Sequence, residues 1–253
     1  MTRKIVIAAV LLLLVAGVVL FALPRGEQDL TQYVNPMVGS DSSYELSRGN
    51  TYPAVALPHG MIQWTPQTRA DSWIYQYKKE KLQGIRGTHS PSVWMGDYGN
   101  LTVMPTVGQA VLDPKRRASR FSHDNETARP HHYRVRLDDH GVTAEVTPTL
   151  RGGRMRLTFP KTDRATVVLD ILPGPGQLQV LPGKRMVRVL NANGQRGNPP
   201  GFGAHHVVVF DRPFSAFGVL DGDTVRKGQK LISGKRVGAY VQFATEAGGQ
   251  VNL

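Results

Sequence analysis

The 253-residue chain has no cysteine, which removes disulfide scaffolds, thiolate metal sites, thiol catalysis and the lipid-modified Cys of a bacterial lipoprotein. It lacks acidic residues to balance its bases: 31 Lys and Arg face 19 Asp and Glu, a formal charge of +12. No phosphate loop or dinucleotide glycine motif is present, since Gly174-Pro175-Gly176 contains a Pro and opens no helix. Aromatics are only 8% of the chain, and its three Trp all lie in residues 64–94, apart from the densest basic group, Lys115, Arg116, Arg117 and Arg120. A nucleic-acid surface would interleave the two, so no nucleic-acid partner is expected. His131-His132 and His205-His206 are adjacent pairs, which face opposite sides of a strand. The other histidines lack zinc-type spacing, so no metal site is expected within the chain.

What is present begins with a targeting segment. Arg3 and Lys4 precede an uncharged apolar run over residues 5–23, closed by Pro24 and Arg25. This is the layout of an export signal, yet the run approaches the ~20 residues of a spanning helix. Residues 1–26 therefore read as a signal peptide or a membrane anchor. Either way Arg3 and Lys4 stay in the cytoplasm. Residues 27–253 are then exported, periplasmic or extracellular, or held at the inner membrane through residues 5–23.

The exported part alternates apolar and polar residues. Tyr133, Val135 and Leu137 oppose Arg134 and Arg136; Val142, Ala144 and Val146 oppose Thr143 and Glu145; Met155, Leu157 and Phe159 oppose Arg154 and Arg156. Ala239, Val241 and Phe243 follow the same period of two, which marks half-buried strands. The runs 165–172, interrupted by Thr166 and Asp170, and 207–210 are more continuously apolar and predict central strands. Asp138-Asp139-His140-Gly141, Arg151-Gly152-Gly153 and Asp221-Gly222-Asp223 predict turns. A helical turn is expected between Asp71 and Leu82. The fold class expected is all-β, an antiparallel β-sandwich preceded by the hydrophobic leader or transmembrane helix.

Two Gly- and Pro-rich stretches differ from plain scaffold. One runs from Gly49-Asn50-Thr51-Tyr52-Pro53 to Pro58-His59-Gly60-Met61-Ile62-Gln63-Trp64-Thr65-Pro66. The other is Gly84-Ile85-Arg86-Gly87-Thr88-His89-Ser90-Pro91 with Trp94-Met95-Gly96-Asp97-Tyr98-Gly99. Stiff loops bearing Trp64, Arg69, Asp71, Trp73, Trp94, His89 and Asp97 suit a polar ligand with apolar C–H faces, such as a sugar. Trp73 and Trp94 are the best candidates for an aromatic wall, with His89 and Asp97 bonding hydroxyls and Arg69 at the mouth. The competing readings stay open: the Trp residues cap a sandwich core, His89 is structural, and Asp97 ties its own turn as an Asx cap.

These strings resemble glycoside hydrolase family 92, the calcium-dependent exo-acting α-mannosidases. Val34-Asn35-Pro36-Met37-Val38-Gly39-Ser40 is similar to the family's opening string, and 49–53, 58–66 and 84–99 to its later ones. Phe121-Ser122-His123-Asp124-Asn125-Glu126-Thr127-Ala128-Arg129-Pro130 and residues 144–160 follow its pattern too. Met37, His59 and the Trp64-Thr65-Pro66 triplet depart from it. The resemblance implies an N-terminal β-sandwich domain over 27–253. It also implies a helical catalytic domain, in cis or trans, that carries the general acid, the general base and most calcium ligands. No catalytic residue is assigned to this chain. The expected role is one wall of a pocket for terminal α-mannosyl linkages of glycans, with calcium in the complete enzyme. The alternatives are a stand-alone carbohydrate-binding module and a structural docking domain.

Overall fold

A computed structural model of the chain describes residues 28–42, 45, 51–71, 73–90, 97–172, 174–192, 199 and 201–253. The leader and Trp94 lie outside them. Among the described residues no helix is long and apolar enough to cross a membrane. The chain divides into two compact units, Met1–Tyr33 and Val34–Leu253. In the first, Leu30–Tyr33 is a short 3-10 turn begun by Asp29, whose Oδ1 accepts the Thr31 N–H at 3.0 Å.

The second unit is built of strands, numbered β1 to β18 in chain order. A seven-stranded antiparallel sheet runs β1 (Gln63–Gln67), β3 (Gly84–Thr88), β4 (Asn100–Val107), β10 (Thr162–Asp170), β17 (Val237–Thr245), β14 (Ala216–Asp221), β15 (Thr224–Lys227). A five-stranded sheet runs β18 (Gly249–Asn252), β9 (Gly152–Phe159), β8 (Val142–Thr149), β7 (His132–Leu137), β6 (Glu126–Arg129). A four-stranded sheet runs β13 (Ala204–Val209), β12 (Met186–Asn191), β11 (Gly176–Leu181), β16 (Leu231–Gly234), and β2 (Lys81–Leu82) pairs with β5 (Ser119–Arg120).

The seven-stranded sheet is one layer, and the five- and four-stranded sheets together form the other. The main core lies between: Val167, Leu169, Val241 and Phe243 meet Tyr133, Val135, Leu157 and Phe159 from one sheet and Leu178, Val187 and Phe210 from the other. The opposite face of the large sheet places Val168, Leu220 and Tyr240 under Ala110 and Leu112. Burial on both faces explains why Val167, Val168 and Leu169 of β10 are consecutively apolar rather than alternating.

The all-β expectation holds, with local corrections: β1 and β3 run through the stretches read above as stiff loops. Residues 207–209, expected in a central strand, lie in β13 at the open edge of their sheet, with Val207 59% and Val209 49% exposed. The described residues between Asp71 and Leu82 form turns, not a helical turn. Trp64, expected on a ligand-facing loop, lies in β1 and is only 6% exposed. Its indole N–H donates to the Gly152 carbonyl at 3.0 Å, joining β1 to β9 across the layers. A Cβ at Gly153 would sit 2.4 Å from that indole nitrogen. Gly153→Ala is therefore expected to destabilise the chain by about 1–3 kcal/mol, read as a lowered urea midpoint at unchanged m-value.

Candidate functional site

On β3 the pleat sends Ile85 and Gly87 toward the main core, so Arg86 and Thr88 share the other face. Both reach Asp97: Arg86 Nη2 donates to Oδ2 at 2.9 Å and Thr88 Oγ1 to the same oxygen at 2.5 Å. The backbone N–H groups of His89 and Gly99 donate to Oδ1 at 3.0 and 3.1 Å. Asp97 is 5% exposed, and these donors occupy its lone-pair sites. The turn-tying alternative is thus the one the geometry displays: Asp97 closes the loop from β3 to β4.

The same guanidinium reaches a second loop. Arg86 Nη1 donates to the Asp71 carbonyl at 3.3 Å. The Asp71 carboxylate accepts Arg69 Nε at 2.8 Å and the Trp73 backbone N–H at 3.0 Å. Arg69, Trp73, His89 and Asp97 therefore belong to one hydrogen-bonded network with Arg86 at its centre. Arg69 and Asp71 also border a cleft of about 780 Å³, lined besides by Lys79, Lys81, Asp113 and Lys115 and by no aromatic residue. Neither Trp73 nor His89 lines it.

Two further residues complete the neighbourhood, and sequence reasoning passed over both. Tyr52, from the 49–53 string, places its hydroxyl 2.5 Å from Gln63 Oε1 and 2.6 Å from the Ser90 carbonyl. Burial first, and then the charge of Asp97, push its pKa up to about 12. The second is His206. Gly99, at φ +142, lets its loop meet β13, for a Cβ there would lie 2.1 Å from that of Ala204. Asn191 Nδ2 on β12 donates to the Asn100 carbonyl at 3.1 Å, holding the same two sheets together. This contact brings His206 beside His89, ring centroids 6.1 Å apart. His89 Nδ1–H donates to the Gly99 carbonyl at 2.7 Å, which makes Nε2 the acceptor nitrogen of the ring, and Nε2 has no partner among the described residues. His206 Nε2 is buried and has no partner among the described residues. The adjacency of His205 and His206 signalled only opposite faces; the partner of one face is set by the fold.

Burial lowers the His206 pKa from 6.5 to about 4, reinforced by His89 and opposed by Asp97, so the ring is neutral at pH 7. The unfolded chain binds a proton near 6.5 that the folded chain takes up only near 4. Stability is therefore complete above the upper value and falls as pH drops through this window. The loss approaches about 3 kcal/mol at its acid end. Denaturant titrations of the chain and of His206→Gln between pH 7 and 4 should show the variant with the shallower acid loss; parallel curves would refute it.

The carboxylates here offer little to a hard cation. Asp97 is fully engaged and Asp71 is bound to Arg69 and Trp73, whereas calcium needs six to eight oxygens, so the described residues do not fit a calcium site.

A sequence model of the glycosyl hydrolase family 92 N-terminal domain matches residues 33–253. No curated protein matches significantly. The solved GH92 inverting mannosidase BT2199 of Bacteroides thetaiotaomicron VPI-5482 is 34% identical, with TM-score 0.83, over 88% of this chain and 30% of that one. The GH92 α-mannosidase BT3965 of Bacteroides thetaiotaomicron is 26% identical, with TM-score 0.75, over 89% of this chain and 32% of that one. It has also been solved in complex with mannoimidazole. The chain thus spans about 30% of the length of these relatives.

Proposed function

Because the chain belongs to glycoside hydrolase family 92 through that family's N-terminal domain, we propose that it supplies one wall of a pocket for terminal α-mannosyl groups of glycans. The observation that carries the reading is the Arg86 guanidinium, which bonds both the loop of Asp71 and Trp73 and the loop of His89 and Asp97. Two stretches that the sequence singled out separately are thereby held in one mutual geometry. In this reading Trp73 packs on the sugar ring, while His89 Nε2 accepts from a hydroxyl. Asp97 and Arg86 are positioning residues that set the His89 loop.

The wall binds and orients; it does not cut. Inverting hydrolysis requires an acid and a base carboxyl about 6.5–9.5 Å apart, one free to donate a proton and one free to activate water. Asp71 and Asp97 both hold protein donors, so the pair is assigned to a helical catalytic domain in cis or trans, and with it the calcium. Export, and anchoring through residues 5–23, complete the proposal on the strength of the leader's sequence.

Saturation-transfer NMR on the chain with α-1,2-mannobiose tests the wall. Contacts to the ring protons should weaken at least severalfold in Trp73→Ala and His89→Ala and persist in Trp64→Phe, with no mannose released. Signals indifferent to Trp73 and His89 would remove the reading, and turnover by the chain itself would remove the assignment of chemistry elsewhere.

A further inference from the structure

The outer face of the five-stranded sheet, remote in sequence from the loops above, carries a charge pattern that solubility alone does not require. The inward side chains of β7, β8 and β9 are apolar, so the pleat turns Arg134, Arg136, Arg154 and Arg156 to solvent. Register aligns Thr127, Arg134, Glu145, Arg156 and Asn252 in one row across all five strands. The next row is Arg136, Thr143, Thr158 and Gln250. On the other side, Arg129 faces His132 and Arg154 faces Thr147.

This face holds five Arg, no Lys and one acid. Glu145 is shared between His132 Nε2 at 3.5 Å and Arg156 Nη1 at 4.0 Å, and Arg136 approaches Asp138 at the hairpin end at 3.5 Å. Arg129, Arg134 and Arg154 have no ion pair among the described residues. A surface that only needs to stay soluble intersperses both signs, and crowding cations on one face is unfavourable for the free protein. Guanidinium forks match carboxylate and sulfate groups in bidentate fashion. The positions between them are threonine hydroxyls and the amides of Gln250 and Asn252, which suit sugar hydroxyls. His132, Glu145, Thr147, Arg154, Arg156 and Asn252 line a shallow hollow of about 390 Å³. The outward strand positions include no Trp, Tyr or Phe to stack bases and no large apolar side chain to enter a bilayer.

We propose that this face binds an anionic polysaccharide, seating its carboxylate or sulfate groups among Arg134, Arg154 and Arg156. The proposal is independent of the mannosyl wall, because none of these residues belongs to the Arg86 network. Titration calorimetry of the full chain uses polygalacturonate, dextran sulfate, neutral mannan and vesicles rich in phosphatidylglycerol. Two variants remove equal charge: R134S/R154S/R156S on the face, and K227Q/K230Q/K235Q at exposed positions elsewhere. The face variant should weaken the polyanion Kd by about tenfold or more, and the control by less than about twofold. R154Q alone should give a smaller loss in the same direction. Equal losses in both triple variants would mean that net charge alone attracts the polymer and would overturn the proposal. So would absence of polyanion binding, or Arg-dependent binding to the vesicles without binding to either polysaccharide.

Discussion

Arg86→Ala should destabilise the chain by about 3–5 kcal/mol, because it strands a buried carboxylate. Arg86 and Asp97 are 2% and 5% exposed, and no other cation among the described residues pairs with Asp97. The Thr88 hydroxyl and two backbone N–H groups would remain as donors, but they are dipoles and do not neutralise a charge held out of water. Set against a typical total of about 5–15 kcal/mol, that loss is readable in a urea titration. Arg86→Lys should recover little of it, since one ammonium cannot span both Asp97 Oδ2 and the Asp71 carbonyl as the fork does. R86M/D97N removes both charges and should be less destabilised than R86A. The same substitutions should abolish the mannobiose signal even under conditions where the chain is folded, because the two loops lose their common anchor. A cost below about 1 kcal/mol would show that Asp97 is not held by this pair.

Breaking the other buried pair should cost as much and leave the sugar readout alone. Arg117 closes a single helical turn, Pro114–Arg117, begun by Asp113, whose Oδ1 accepts the N–H groups of Lys115 and Arg116 at 3.0 and 2.9 Å. Its side chain pairs with Asp170 at the end of β10, each 1% exposed. Nε donates to the Gln83 carbonyl at 3.1 Å and Nη1 to that of Leu112 at 3.0 Å, while Asp170 Oδ1 accepts the Leu172 N–H at 3.0 Å. Arg117→Ala leaves Asp170 charged against the small core of Ala110, Leu112 and Val168, at a cost of about 3–5 kcal/mol. Replacing both partners by apolar residues of similar size, R117M/D170L, should be far milder. The mannobiose contacts should survive R117A wherever the chain is folded. Their loss there would mean that this pair, too, positions the loops joined by Arg86.

These two arginines show where sequence reasoning stops. Arg117 lies in the densest basic cluster and reads as one more solvated charge, and Arg86 reads as a loop residue between glycines. Both are buried, because a residue's neighbours along the chain do not reveal which backbone carbonyls and carboxylates the fold will bring to it. Trp64 is the same case: its surroundings of Gly and Pro suggested an exposed loop, while Gly87 and Gly153 are in fact the space that the buried indole occupies. Val207 and Val209 fail in the opposite direction. An apolar run shows that a strand is favoured, not that a second strand will cover its edge.

By itself the sequence determined the strands of the period-two segments, their inward faces, the turns named between them and the family, since period-two patterning and ordered strings are local properties of the chain. The tertiary structure alone decided which polar groups in those strings are buried, that Arg86 joins two loops, that His206 comes to lie beside His89, and that arginines from three strands share one face. Each of these depends on strand order and register, which arise from packing between segments far apart in the chain.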